Sequence, residues 1–390
     1  MDNRSLFDDI KRSDLRSRFN AEPQFAYLNI SGRHSSGRVR ALADAWYENV
    51  PEGERKDLRS RFRSTDDIVH LGAFTELYCA TLLKNHDFEL QARILSSKGK
   101  RLDFLALKDA KPTFALECVT AGDIDIQIWE NKLIRNFYDV INNLQHKDFF
   151  VLAQFIKSGN KPLSGRRARE YLGPLLDLLN WESLWTALEQ DDDDSIPQWI
   201  WRDNDWQIHF RAIPKAPELR GIENIKTVGI QMDRVRLSQP GKAWLDPLLK
   251  KASRYGKLDI PYVIMINGTG MFHRNHDIVD ALFGQRAVNI DLKTGEATPT
   301  RHPNGLWVGA KGPRYQRVSA VLCLEHLTPW SVANCTPELW HNPWAHHRLE
   351  YDPWLVTQHI PDSASGKMIE KTGCKGPDLF GLELTWPGDD

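Results

Sequence analysis

The hydrophobic period changes repeatedly between residues 64 and 156. Ser64-Thr65-Asp66 offers capping side chains ahead of an apolar run, so a helix is expected from there through about Lys84. Three strand-length stretches follow, near 88–94, 101–108 and 113–119. A helical period returns over roughly Ile126–Leu144, where apolar positions 126, 133, 134, 137, 141 and 144 share one face. "DFFVLAQFI" (148–156) reads as a strand again.

Outside this stretch the pattern is less even. Residues 1–36 are polar and weakly periodic, and Arg38–Asn49 and Pro51–Phe62 read as helices, the second strongly charged. Gly165–Leu188 is mostly helical, Asp191–Asp194 is an acidic solvated loop, and Trp206–Ile213 and Thr227–Gln231 read as strands. Trp244–Tyr255 reads as a helix stopped by Gly256, and "PYVIMIN" (261–267) as a buried strand. Beyond about residue 295 the chain is rich in Trp, Pro, His and Gly, with a strand at Val318–Leu324 amid irregular, aromatic-pinned structure. Helices alternating with strands predict an α/β protein with one mixed central sheet flanked by helices. The expected divisions are an N-terminal helical extension (1–63), a core (64–290) with an insertion around 160–225, and a Trp/Pro-rich region (291–390) packed on the core.

Composition narrows the class only slightly. The 390 residues carry a formal net charge of -1, so no global field draws in a polyanion. Any nucleic-acid surface must be a local basic patch. The candidates are Arg55, Lys56, Arg59, Arg61 and Arg63; Lys98, Lys100 and Arg101; and Arg166, Arg167 and Arg169. Each is equally well a solvated face. Five cysteines without a C-x-x-C pair, two inside apolar runs, suit reduced thiols in a cytoplasmic protein. The opening Met1-Asp2-Asn3-Arg4 lacks the apolar segment of a signal peptide, and no apolar stretch is long enough to span a bilayer.

The candidate chemistry lies in three acids. Asp103 interrupts Leu102-Asp103-Phe104-Leu105-Ala106-Leu107, and Glu117 interrupts Phe114-Ala115-Leu116-Glu117-Cys118-Val119. If these strands pair through "KDAKP", the two carboxylates lie side by side. Buried carboxylates placed together raise each other's pKa, and a divalent cation removes that penalty. A third acid, Glu76, shares a helix stripe with Gly72 and Ala80, small residues that let a helix approach a sheet closely.

This arrangement resembles the PD-(D/E)XK, restriction-endonuclease-like nuclease superfamily over roughly residues 64–156. That core runs from a helix bearing Glu to a β-hairpin bearing Asp and then Glu-x-Lys, followed by a helix and a strand. The resemblance implies Mg²⁺ or Mn²⁺ held by Asp103 and Glu117, with Glu76 completing the shell. It implies nucleic acid, DNA before RNA, as the partner, and a role in defence against foreign DNA. A homo-oligomer or a partner protein stays open, and no membrane association is implied. The chain departs from the motif at Val119, which stands where the lysine belongs. Lys132 or Gln127 on the following helix is the expected substitute. Loss of the lysine also leaves open a non-catalytic nucleic-acid-binding or scaffold protein on the same fold.

Other features carry less. "HNPWAHH" (341–347) with His326 and Cys323 matches no zinc-finger spacing. The 14 tryptophans can stack on bases, and more often pin loops to a core. "NGTG" (267–270) lacks the Gly-Lys-Ser/Thr ending of a phosphate loop. Lys250, Lys251, Arg254 and Lys257 precede the buried strand and are expected to contact phosphates.

Overall fold

The computed structural model of the protein describes residues 5–388 apart from 93–98, 100, 122–131, 191, 223–226, 231–239, 257, 270–274, 291–294, 353 and 363. The chain divides into two compact units. Unit 1 comprises Met1–Arg18, Pro23–Ile126 and Ser238–Asp390, and unit 2 comprises Phe19–Glu22 and Gln127–Leu237.

Four helices open unit 1: α1 (Gln24–Ile30), α2 (His34–Tyr47), α3 (Glu52–Phe62) and α4 (Asp67–Asn85). The expected cap forms at α4, where the Asp66 side chain accepts from the backbone N–H of Ile68 and Val69. Strands β1 (Glu89–Ala92), β2 (Phe104–Lys108) and β3 (Lys111–Ala121) follow, with β2 antiparallel to both of its neighbours.

Unit 2 is built separately. It holds α5 (Lys132–Ile141), β4 (Phe149–Lys157), α6 (Gly165–Asp177), α7 (Trp181–Glu189), β5 (Gln198–Asp203), β6 (Trp206–Pro214) and β7 (Val228–Ile230). Its four-stranded sheet has the order β5-β6-β4-β7, over a core that includes Phe137, Tyr138, Trp201, Trp206 and Phe210. β6 alternates buried and half-buried positions along its whole length, the pattern of a strand with one face on a core.

The chain then returns to unit 1 with α8 (Pro240–Arg254), β8 (Tyr262–Gly268) and α9 (Asn275–Phe283). A hairpin of β9 (Arg286–Ile290) and β10 (Ala297–Arg301) and a short pair, β11 (Val308–Gly309) and β12 (Gly312–Pro313), lead to β13 (Ala320–Glu325). Strands β14 (Glu338–His341), β15 (Thr357–Pro361) and β16 (Met368–Lys371) follow, before α10 (Gly376–Phe380). The eight-stranded sheet has the order β1-β2-β3-β8-β13-β14-β15-β16, with β8 parallel to both β3 and β13.

The α/β class with a mixed central sheet flanked by helices is therefore what the chain adopts. Two particulars differ from the sequence reading. The helix and strand after β3, α5 and β4, lie in unit 2; in the large sheet it is β8 that lies beside β3, with α8 packed on both. The tail read as irregular supplies three more strands of that sheet.

Two cores flank the large sheet. Phe114, Leu116 and Cys118 pack with Phe74, Leu77 and Leu322, whereas Ala115 and Ala121 pack with Trp244, Leu248 and Tyr255. This is strand alternation expressed in packing: β3 gives its even positions to α4 and its odd ones to α8. β8 is buried on both faces throughout, as its unbroken apolar run predicts. It ends on Gly268, where a Cβ would stand 2.4 Å from the Trp244 ring, so glycine permits α8 to lie close.

Candidate active site

Alternation sends Glu117 to the α8 face, where a charged side chain 1% exposed needs partners. Helix α8 supplies them. Lys251 Nζ donates to Glu117 Oε1, and Arg254 Nη1 donates to the same oxygen at 3.0 Å. The Tyr255 hydroxyl, one residue past the helix, lies within hydrogen-bonding reach of Glu117 Oε2 and of the Arg101 carbonyl (2.9 Å). Burial, reinforced by Glu117, raises the Tyr255 pKa, so the phenol remains a neutral donor.

Pairing of β2 with β3 begins with Phe104 opposite Leu116, and Asp103 stands in a bend just before it. Asp103 Oδ2 accepts from the Cys118 backbone N–H at 2.8 Å. Burial, then the Glu76 and Glu117 carboxylates, push its pKa up to about 7, against a smaller opposing pull from Lys251. Asp103 is thus the acid that feels both others.

Glu76 comes from α4, on the other side of the sheet, with its side chain 15% exposed. Arg61 of α3 holds it through two bonds, Nη1 to Oε1 at 2.6 Å and Nη2 to Oε2 at 2.7 Å, and Arg61 Nε also donates to Asp57 at 3.0 Å. A Cβ at Gly72 would lie 3.9 Å from Thr120 Oγ1 on β3, an ordinary contact, so α4 faces the sheet here without this position requiring glycine. A cavity of about 400 Å³ opens here, lined by Arg61, Glu76, Arg101, Asp103 and Arg254 among others.

No family model, curated protein or solved structure matches this chain.

The expected residues divide as follows. Glu76 and Asp103 line the same cavity, and Asp103 reaches β3 at the backbone N–H of Cys118, next to Glu117. Gln127 lies outside the described residues, as do Lys98 and Lys100. Lys132 opens α5 of unit 2, and its side chain is also outside them. Arg59 donates to the Ser5 carbonyl at 2.7 Å, and Arg61 holds Glu76, so both have intramolecular partners. Lys250 is exposed, and Arg101 lies on the cavity wall. Lys251, expected on phosphate, instead sits on Glu117 and is only 17% exposed. Tyr255 was missed as a site residue. Its signal was its place one turn after Lys251, which sets both near one face of α8's end.

Carboxylate oxygens are the ligands that a hard divalent cation takes. Both oxygens of Glu76 and of Glu117 already hold hydrogen bonds. Among the described residues no three His, Cys, Asp or Glu side chains are gathered as a metal-ligand group. Among them, too, no helix is long and apolar enough to cross a membrane.

Proposed function

We propose that this chain is a metal-dependent nuclease of the restriction-endonuclease-like type, hydrolysing phosphodiester bonds in nucleic acid, DNA foremost. The observation that carries the reading is the half-buried Asp103, just before β2, bonded to the backbone N–H of Cys118 beside the buried Glu117 on β3, with a lysine on that second acid. The order α4, β1, β2, β3, α8, β8, with β8 parallel to β3, supports it: this is a Glu-bearing helix, an Asp/Glu hairpin, then a helix and a strand.

In this reading Asp103 and Glu117 would hold Mg²⁺ or Mn²⁺, with Glu76 reaching it directly or through water. When bound, such an ion polarises the phosphodiester and lowers the pKa of water. Lys251 takes the role of the lysine missing at Val119, orienting the attacking water from α8. Asp103, with a pKa about 7, accepts or retains a proton near neutral pH. Arg101 and Arg254 at the cavity supply positive charge for phosphate. Defence against foreign DNA would be the biological setting.

The test is incubation of plasmid and single-stranded substrates with Mg²⁺ or Mn²⁺, beside Asp103→Ala and Glu117→Ala. Cleavage lost in both supports the site, and cleavage persisting in both removes it. Either metal should also raise the wild-type melting temperature, and not that of Asp103→Asn. One observation favours the second reading, a binding or scaffold protein: Glu76 and Glu117 already have cationic partners. Nucleic-acid binding without cleavage under any metal would support that alternative.

A further inference from the structure

A second cavity, of about 660 Å³, lies at the opposite end of the large sheet from the acids, bounded by α9, β14, β15 and β16. Its volume is in the range of small-molecule sites. One wall is aromatic. Trp340 lies face to face with His359 at 3.6 Å and 12°, and Phe283 stands at 62° to Trp340 and 63° to Trp344. Trp344 is held although 37% exposed: its backbone N–H donates to Asn342 Oδ1 (2.9 Å), and Asn342 Nδ2 in turn donates to the Val318 carbonyl (2.8 Å). A large ring fixed at a cavity mouth is a stacking platform rather than core.

Trp340 is only 6% exposed, yet its Nε1–H has no acceptor among the described residues. That nitrogen is closed off from solvent, so it is the ring face of Trp340 that the wall offers. The rest of the lining carries charge. Arg301, Arg348 and Lys367 face two acids, Asp362 and Glu370. Asp362 accepts from its own turn, the N–H groups of Ala364 (3.2 Å) and Ser365 (3.0 Å). Arg301 holds Asp280 at 2.7 Å, whereas Arg348 and Lys367 are exposed. The nearby histidines are committed: His341 donates to Gln358 at 2.9 Å and His359 to Glu338 at 3.0 Å. Aromatic faces and cations at the rim together select a flat heterocycle that carries an anion.

We propose that this cavity is a nucleotide-binding site, in which a nucleobase stacks at Trp344, with its phosphate at Arg348 and Lys367. The inference uses none of the acids and stands or falls apart from the nuclease reading. The shared chemistry, base plus phosphate, is found both in a free nucleotide and at the end of a nucleic-acid strand.

The test is calorimetric titration of the full chain with AMP, GMP, CMP and UMP, with the matching nucleosides and ribose 5-phosphate, and with a short 5′-phosphorylated single strand. At least one nucleotide should bind, and its nucleoside and ribose 5-phosphate should each bind roughly tenfold more weakly or worse. Trp344→Ala and Arg348→Ala should each weaken binding by about tenfold with the melting temperature retained. If either fails to fold, Trp344→Leu and Arg348→Gln carry the same expectation. Tighter binding of the strand than of any mononucleotide assigns the site to a nucleic-acid end, and the reverse assigns it to a free nucleotide. No binding of any nucleotide or strand, or binding unaltered in folded Trp344 and Arg348 variants, overturns the proposal.

Discussion

Two buried polar groupings occupy the same sheet and solve burial differently. On β14 and β15, His341 donates to Gln358, whose amide donates to the Tyr351 (3.0 Å) and Trp354 (3.4 Å) carbonyls, and every member is neutral. At β2 and β3, Glu117 is wrapped by two cations and a phenol, while Asp103 keeps a pKa about 7 chiefly through burial, reinforced by the Glu76 and Glu117 carboxylates. The first network closes on itself and fixes the packing of two strands. The second retains an acid whose environment disfavours its charge. Burial of polar groups therefore does not mark a site by itself; an uncompensated charge does.

The sharpest way to break this contrast is activity. Lys251→Ala should lower cleavage by roughly 10²–10⁴-fold, while His341→Leu leaves the rate of the folded protein unchanged, measured on the same plasmid substrate. If Lys132→Ala gives the larger loss instead, the lysine belongs to the other helix. Next in size is Glu117→Ala, which leaves Lys251 mostly buried without its carboxylate and should cost roughly 3–5 kcal/mol in urea unfolding. Adding Lys251→Met should recover part of that loss. His341→Leu strands the Gln358 carbonyl oxygen and should cost about 1–3 kcal/mol by the same measurement.

The smallest effects are pH slopes, and they run in opposite directions. Asp103 has a folded pKa of about 7, above the ordinary 3.8. Its favourable contribution is complete below pH 3.8 and is lost as pH rises to 7. His341, pushed down to about 4 chiefly by burial, contributes above pH 6.5 and loses that contribution as pH falls toward 4. Each slope is at most about 1.4 kcal/mol per pH unit. The two windows overlap and oppose each other, so unfolding free energies from pH 4 to 8 should show Asp103→Asn removing a loss of stability as pH rises from 4 to 7, and His341→Gln removing the opposing loss as pH falls from 6.5 to 4. Unchanged slopes in both variants would mean that neither group titrates as its surroundings require.

Much of the first region was legible in the sequence because its signals are local. Asp66 announces α4, alternation puts Glu117 on one face of β3, and the short β2–β3 turn brings Asp103 beside it. The support of Glu117 was not legible. Periodicity says that Ile126–Leu144 and Trp244–Tyr255 are helical, but not which of them lies on the sheet. Lys132 is near Glu117 in the chain and Lys251 is 134 residues away, yet it is Lys251 that touches the acid. The second region was the least legible. Strands β14, β15 and β16 are short, and their tryptophans, prolines and histidines obscure the alternation that would have revealed them.

The chain's excursion from β3 to unit 2 and back also has a consequence for biosynthesis. Glu117 emerges from the ribosome 134 residues ahead of Lys251. At about 5–20 residues per second, the nascent strand waits roughly 7–27 seconds before the amine that balances it has been made. Until then the carboxylate must stay hydrated, so completion of this half of the sheet is deferred until after translation of the intervening segment.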